Sequence, residues 1–164
     1  RMLNKLNGKK ELVRMANFFQ FSYPGAPAIY YGDEIGIDGG KDPENRKAFP
    51  WDETKWDNDL RDYTKDLISW RKRLTALRRG DYKRIAVNND LRYYAFSRTI
   101  GDETVLVVMN SSDKLIRIVL PVTGLGWEQV HTLKDVLSGT RYAIKDQQLE
   151  ITLEPWAGLW LTRS

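Results

Sequence analysis

The hydrophobic period of this chain changes at Gly80, and this change limits the folds that the sequence can adopt. From Leu60 to Arg79 the apolar residues recur at steps of three and four, which predicts an amphipathic helix. After Gly80 the period is two, in short runs rich in β-branched and aromatic residues that turn residues separate. Even spacing with tight turns predicts an antiparallel β-sandwich of roughly eight strands over residues 81–164. The runs are 82–87, 91–98, 104–110, 115–120, 127–133, 141–144, 148–153 and 158–162.

A short apolar run at residues 28–31, bounded by Gly and Pro, predicts one buried strand of the kind found in parallel sheets. A helix is predicted before it, from Lys9 to Phe21, whose apolar positions leave little polar surface. A parallel strand needs partner strands, and the sequence offers no further strand–helix–strand unit to supply them. We therefore expect residues 1–80 to be a piece of a larger α/β barrel.

The segment 32–56 is a long loop that joins this strand to the helix at 60–79. Its charged residues follow the carboxyl end of a buried strand, which is where ligands bind in α/β folds. No metal site is expected, because the acidic residues lack EF-hand or His/Cys spacing. The charged residues of the loop are Asp33, Glu34, Asp38, Lys41, Asp42, Glu44 and Arg46, besides those near its end.

The order and spacing of residues in this region resemble a known family. The pattern G-x-P-x-I-Y-Y-G-D-E-x-G, then G-G-x-D-P-x-x-R and P-W-D, is similar to the eighth barrel strand and following loop of the α-amylase superfamily. Within this superfamily the pattern most resembles those of neopullulanases, cyclomaltodextrinases and maltogenic amylases. The resemblance implies an α+β fragment. Residues 1–80 would be the last helix–strand–helix of a (β/α)₈ TIM barrel, and residues 81–164 the antiparallel β-sandwich domain that follows it.

The resemblance also implies a function for the parent protein. The parent is expected to be a retaining hydrolase or transglycosylase of α-glucans that acts on α-1,4 or α-1,6 glucosidic bonds. By the same resemblance the catalytic carboxylates belong to earlier barrel strands, upstream of Arg1, so this chain alone is expected to be inactive. No cofactor is expected. The expected partner is an α-glucan oligosaccharide or a cyclodextrin, bound through the parent barrel.

Asp42 and Arg46 are the candidate sugar-binding residues. By the resemblance this pair holds glucose hydroxyls, and the chemistry suits the role, since a carboxylate accepts from two vicinal hydroxyls and a guanidinium donates as a fork. The alternative is an ion pair that only braces the loop. Trp51 either stacks on a sugar face or caps the loop. The residues expected to orient the loop through hydrogen bonds are Tyr31, Asp33 and Glu34.

Composition excludes several classes of protein. Cysteine is absent, which excludes disulfides and thiol catalysis. The 26 basic and 22 acidic residues are interspersed, so no nucleic-acid footprint is indicated. No membrane-length apolar run occurs. The chain opens on Arg1 without an initiating methionine, so the true amino terminus is expected upstream, and a cytoplasmic or a secreted location both stay open.

A non-catalytic function is also possible on this sequence, and the isolated chain has an uncovered surface. The alternative function is a non-catalytic carbohydrate-binding or interaction domain. As an isolated object, the chain would leave the surface that faces the barrel uncovered. Its first part is therefore expected either to be loosely held or to self-associate by burying Phe18, Phe19, Ile29 and Tyr30 against a second copy.

Overall fold

Eight antiparallel strands make up the second half of the chain in the computed structural model, which describes residues 1–164. They form one curved sheet in the order β1-β2-β3-β8-β5-β6-β7-β4. The two edge strands, β1 and β4, contact each other, so the sheet closes almost into a barrel. The strands are β1 (Asp81–Asn88), β2 (Tyr93–Ile100), β3 (Glu103–Asn110), β4 (Ile116–Pro121), β5 (Thr132–Asp135), β6 (Arg141–Lys145), β7 (Gln148–Leu153) and β8 (Gly158–Arg163).

The predicted antiparallel β domain is confirmed, and one predicted strand is largely wrong. Of the run 127–133, only its last residues belong to a strand, β5. Trp127 is 2% exposed and fills the core from a loop, with its carbonyl accepting from the Val130 amide at 3.0 Å. A loop whose apolar side chains enter the core has the same composition as a buried strand, and the two cannot be distinguished by hydrophobic pattern alone.

The sheet separates two apolar cores. Inside the curve, side chains from β2 to β8 pack around Trp127 and Leu133. Outside it, the face of β2, β3 and β8 packs against the helices. The strand β3 takes part in both cores, because Leu106 and Val108 point inward while Val105 and Val107 point to the helices. This double burial explains why β3 reads as a continuous apolar run.

Four helices precede the sheet. Both predicted helical segments are helical, with one change in the second, and the short helix Met2–Lys5 is not among the predicted segments. The helix predicted over 60–79 is two helices, broken at Leu74, which is extended with φ −85° and ψ 101°. The break turns Ala76 and Leu77 onto the sheet, where both are fully buried, and the Glu103 carboxylate of β3 accepts from the Ala76 amide. None of these helices is both long and apolar enough for a membrane crossing. The helices are α1 (Met2–Lys5), α2 (Lys10–Ser22), α3 (Asn58–Arg73) and α4 (Thr75–Arg79).

The strand predicted at residues 28–31 is not formed in this chain. The segment has no ladder partner, and side chains supply its hydrogen bonds instead: Gln20 donates to the Ala28 carbonyl and Arg1 to the Tyr31 carbonyl. Tyr30 and Tyr31 are 47% and 40% exposed. A strand requires a neighbouring strand for its main-chain groups, and none of the eight strands of this chain lies beside it.

Asn110 ties together the end of β3, the turn after it and the end of β7. Its side chain is fully buried, and its Nδ2 donates to the Lys114 carbonyl at 2.7 Å and to the Glu154 carbonyl at 2.8 Å. Its Oδ1 accepts from the Ser112 amide at 3.0 Å. One amide thus satisfies main-chain groups from two separate turns, which would otherwise be buried without partners.

We expect Asn110→Ala to lower the free energy of unfolding by about 2 to 4 kcal/mol, because it leaves buried carbonyls and an amide without partners. Urea unfolding followed by tryptophan fluorescence measures this. Asn89→Ala, at an exposed turn position, serves as the matched control and should change the free energy by less than about 0.5 kcal/mol. Equal effects of the two substitutions would contradict the role of Asn110.

Candidate functional site

The charged loop at residues 32–56 is closed at its base and open at its tip. The Asp57 amide donates to the Ile35 carbonyl at 3.1 Å, and this bond joins the two ends of the loop. The loop contains three short 3₁₀ turns, at 33–35, 44–46 and 53–55. The loop lies at the N-terminal end of α3, where the Asp57 side chain caps the helix by accepting from the Leu60 amide at 3.1 Å.

Asp42 and Arg46 form an ion pair on the surface of this loop. The Arg46 Nη2 donates to the Asp42 Oδ2 at 2.9 Å, and the two side chains are 66% and 58% exposed. An exposed pair of this kind stabilises a fold by about 0 to 1 kcal/mol, so it is a weak brace. The paired carboxylate and guanidinium are open to the solvent.

A polar groove of about 440 Å³ runs beside Asp42. It lies between α1 and the loop, and the Asn4 Oδ1 accepts from the Gly39 amide at 2.6 Å across this junction. No apolar side chain lines it. Sequence reasoning missed α1 as a wall of the site, because residues 35 positions apart in the chain leave no local spacing signal. The lining residues are Arg1, Asn4, Lys5, Gly39, Gly40, Lys41, Asp42 and Asn45.

Trp51 lies at the tip of the loop with its side chain in solvent. It is 83% exposed, and its ring contacts Phe49 with a centroid distance of 4.9 Å. The role of a cap belongs to Trp56 instead, whose indole N–H donates to the Pro50 carbonyl at 2.6 Å and whose ring lies 5.7 Å from Phe49. An exposed indole next to a polar loop is the type of surface on which sugar rings stack.

Tyr31, Asp33 and Glu34 lie at the start of the loop. The Tyr31 hydroxyl donates to the Lys47 carbonyl at 2.9 Å and so joins the start of the loop to its middle. Arg1 stacks on the Tyr31 ring at 4.3 Å and approaches the Asp33 carboxylate at 3.7 Å. Glu34 faces a cavity of about 390 Å³ between residues 29–34 and α3. Of the three, only Tyr31 makes a side-chain hydrogen bond within the loop; Asp33 meets Arg1 as an ion pair, and Glu34 makes no hydrogen bond.

Contacts with lysine residues favour the ionised form of two aspartates in this region. Lys47 bonds the Asp38 carboxylate at 2.7 Å and lowers the pKa of Asp38. At Asp57, burial opposes ionisation, but hydrogen bonds from Lys10 and the Leu60 amide outweigh it, so the pKa of Asp57 lies below its ordinary value. Both carboxylates are anionic at neutral pH.

Comparison with known proteins identifies the chain. Residues 82–160 match the family model of the maltogenic amylase C-terminal domain. A cyclomaltodextrinase of Geobacillus thermopakistaniensis is 37% identical over 95% of this chain, and neopullulanase 2 of Thermoactinomyces vulgaris is 37% identical over 98% of it. The solved structure of a cyclomaltodextrinase superposes on all of the chain with a TM-score of 0.91 and 34% identity.

The chain belongs to the α-amylase superfamily. It corresponds to the C-terminal portion of these proteins, and the resemblance carried by the loop motif is confirmed. The chain spans about a quarter of the length of the relatives it matches, at 26% and 27% of the two sequences and 27% of the cyclomaltodextrinase structure. The β domain of this superfamily member matches the domain model, and the similarity continues through the helices and the charged loop.

We expect Asp57→Ala to lower the free energy of unfolding by about 1 kcal/mol at pH 7, the usual effect of losing an N-cap. Because the pKa of Asp57 is lowered in the folded chain, this contribution is present above about pH 4 and is lost as the pH falls through the folded-state pKa. Urea unfolding at pH 7 and pH 3 measures the difference. Asp57→Asn keeps a cap and should retain most of the stability at pH 7; an equal loss in both variants would contradict the capping role.

Proposed function

We propose that this chain is the C-terminal part of a retaining α-glucan hydrolase or transglycosylase of the cyclomaltodextrinase and neopullulanase type. The observation that carries this proposal is the similarity to such enzymes over 95% and 98% of the chain, which includes the loop with Asp42 and Arg46. The substrate class is α-glucan, as oligosaccharide or cyclodextrin, with α-1,4 or α-1,6 glucosidic bonds. The parent protein would carry the activity.

In the parent, residues 1–80 would be the last helix–strand–helix of a (β/α)₈ barrel. The unpaired main chain of residues 28–31 supports this proposal, because an apolar segment with exposed Ile29 and Tyr30 is what the removal of a neighbouring strand leaves behind. The cavity between residues 29–34 and α3 supports it too, since a barrel strand would fill that space. Residues 81–164 would be the domain that follows the barrel.

The residues of this chain do not supply a retaining catalytic pair. A retaining glycosidase needs two carboxyl groups about 5 Å apart that face each other across the scissile bond. Asp33 and Glu34 are neighbours in the chain, and Asp33 lies against Arg1 rather than opposite a second acid in a cleft. The catalytic carboxylates would belong to earlier strands of the parent barrel, and Asp42 with Arg46 would bind glucose hydroxyls beside them.

A second candidate is a non-catalytic role in carbohydrate binding or self-association. Exposed aromatic and aliphatic side chains favour it: Phe19, Ile29, Tyr30 and Tyr31 are 39% to 47% exposed. Phe18, expected in the same surface, is instead fully buried against Trp160 at a ring distance of 5.3 Å. A second copy of the chain could therefore cover the residues around Tyr30 but not Phe18.

We expect chain 1–164 to have no measurable α-glucosidase activity, because the positioned carboxyl pair that supplies most of the rate lies outside it. Maltotriose and β-cyclodextrin are incubated with the purified chain, and released sugars are compared with those of a buffer blank. Turnover that copurifies with the chain through two different columns would assign catalysis to residues present here. Size-exclusion chromatography over a concentration series tests self-association in the same preparation.

We expect Asp42→Ala in the full-length parent to lower kcat/KM on maltooligosaccharides by about 30- to 900-fold. This corresponds to roughly 2 to 4 kcal/mol, the range for truncating one member of a desolvated charged contact. Asp38→Ala is the matched control, because it removes another exposed carboxylate, paired with Lys47, from the same loop. If both variants keep the kcat/KM of the wild type, Asp42 is only part of a loop brace.

A further inference from the structure

Two buried arginines of this chain have no carboxylate partner. Arg71 of α3 is 6% exposed and Arg98 of β2 is 2% exposed, yet neither forms an ion pair. Burial lowers the pKa of both guanidinium groups. A buried charge without a counter-ion is costly unless hydrogen bonds replace its hydration. The acceptors of these hydrogen bonds therefore show which parts of the chain the two arginines fix in place.

Arg98 holds the ends of two helices against the sheet. Its Nη1 donates to the carbonyls of Ser22 at 3.1 Å and Leu77 at 2.9 Å, and its Nη2 donates to the Gly80 carbonyl at 2.9 Å. These carbonyls belong to the last residue of α2, to α4 and to the residue that follows α4. The C-terminal carbonyls of a helix have no partners within the helix and carry the negative end of its dipole, so a guanidinium is their natural partner.

Arg71 holds the turn that follows α2. Its Nη1 donates to the Phe21 carbonyl at 2.5 Å and its Nη2 to the Gly25 carbonyl at 2.6 Å. The fork of one guanidinium therefore spans the end of α2 and the turn residue four positions later. Lysine could not reproduce this contact, because an ammonium is a point donor without a planar fork.

The β domain holds the same turn through a third contact. The Trp160 indole N–H donates to the Ser22 hydroxyl at 2.7 Å, and the Ser22 hydroxyl donates to the Phe18 carbonyl at 2.6 Å. The Tyr23 ring packs on Tyr82 of β1 at 5.5 Å. Side chains of α3, β1, β2 and β8 thus converge on residues 21–25, although these residues belong to no strand of the sheet.

The turn at residues 21–25 continues into the segment that leads to the charged loop. Residues 24–27 are Pro-Gly-Ala-Pro, and the two prolines restrict the backbone that follows the turn. Residues 25–35 run the length of α3, held at one end by Arg71 on Gly25 and at the other by the Asp57 amide on the Ile35 carbonyl. Between these ends the segment borders a cavity of about 390 Å³. The end contacts share the positioning of this segment with the bonds that Gln20 and Arg1 donate to the Ala28 and Tyr31 carbonyls.

We propose that Arg71 and Arg98 are positioning residues through which α3 and the β domain set the place of residues 25–35 and of the loop that carries Asp42 and Arg46. The part of this proposal that concerns sugar binding rests on the proposed function. Neither arginine would touch substrate. Loss of the hold on Gly25 would let the loop sample positions in which Asp42 does not meet the sugar hydroxyls. Substrate binding would weaken more than the chemical step.

Hydrogen exchange on chain 1–164 tests the anchoring without any activity. In Arg71→Met, the hydrogen-bonded amides of Tyr23, Asp33 and Ile35 should exchange about tenfold faster than in the wild type, while those of β3 keep their rates. Arg71 is the better variant, because Arg98→Met removes a group from within the sheet and can unfold it. Arg117→Met, an exposed arginine on β4, is the control and should leave both regions unchanged. Unchanged exchange at the Tyr23, Asp33 and Ile35 amides in Arg71→Met would overturn the proposal.

A double-mutant cycle in the full-length parent tests the coupling to Asp42. Arg71→Met should raise KM for maltooligosaccharides by about tenfold with kcat within about twofold, and the same substitution in the Asp42→Ala background should raise KM much less. Independent effects that multiply, or a loss of Tm with unchanged KM, would show a purely structural role. If the parent has no α-glucan activity at all, the proposed function fails, while the exchange result still decides whether Arg71 anchors the loop.

Discussion

The helices of this chain depend on one junction, where Phe18 of α2 packs on Trp160 of β8. Both side chains are fully buried, with ring centroids 5.3 Å apart. The four helices are too few and too short to form a core of their own, so they bury their apolar residues on the outer face of the sheet. Gly158 allows this approach, because a Cβ there would lie 2.4 Å from the Phe18 ring.

The strand β3 connects this junction to the rest of the molecule. It is buried on both faces, with Leu106 and Val108 in the inner core and Val107 in the helical one. Helices and β domain therefore share a layer and act as one body, even though the similarity to a C-terminal domain model covers residues 82–160 alone. Asn110 at the end of this strand then fixes the turns around the inner core.

The loop with Asp42 and Arg46 has a different physical character. Its ion pairs are exposed, its groove is polar, and its tip carries Trp51 in solvent. Such a loop gains little stability from its exposed ion pairs, so its position depends on the Asp57 amide, on the contact of Asn4 with Gly39 and on the segment before it. Proteins commonly place binding residues on loops that rigid helices and strands hold in position.

The sequence by itself determined the first long helix, predicted at 9–21 and found at 10–22, the antiparallel β domain and the superfamily, because each depends on hydrophobic pattern or on motif spacing. The resemblance of the loop motif also marked Asp42 and Arg46 as a pair, and their side chains bond each other in the structure. Only the tertiary structure decided that residues 28–31 remain unpaired, because a strand depends on a partner and not on its own composition. Only the tertiary structure revealed the contacts of Arg71 and Arg98, because the guanidinium groups donate to main-chain carbonyls, which every residue type carries.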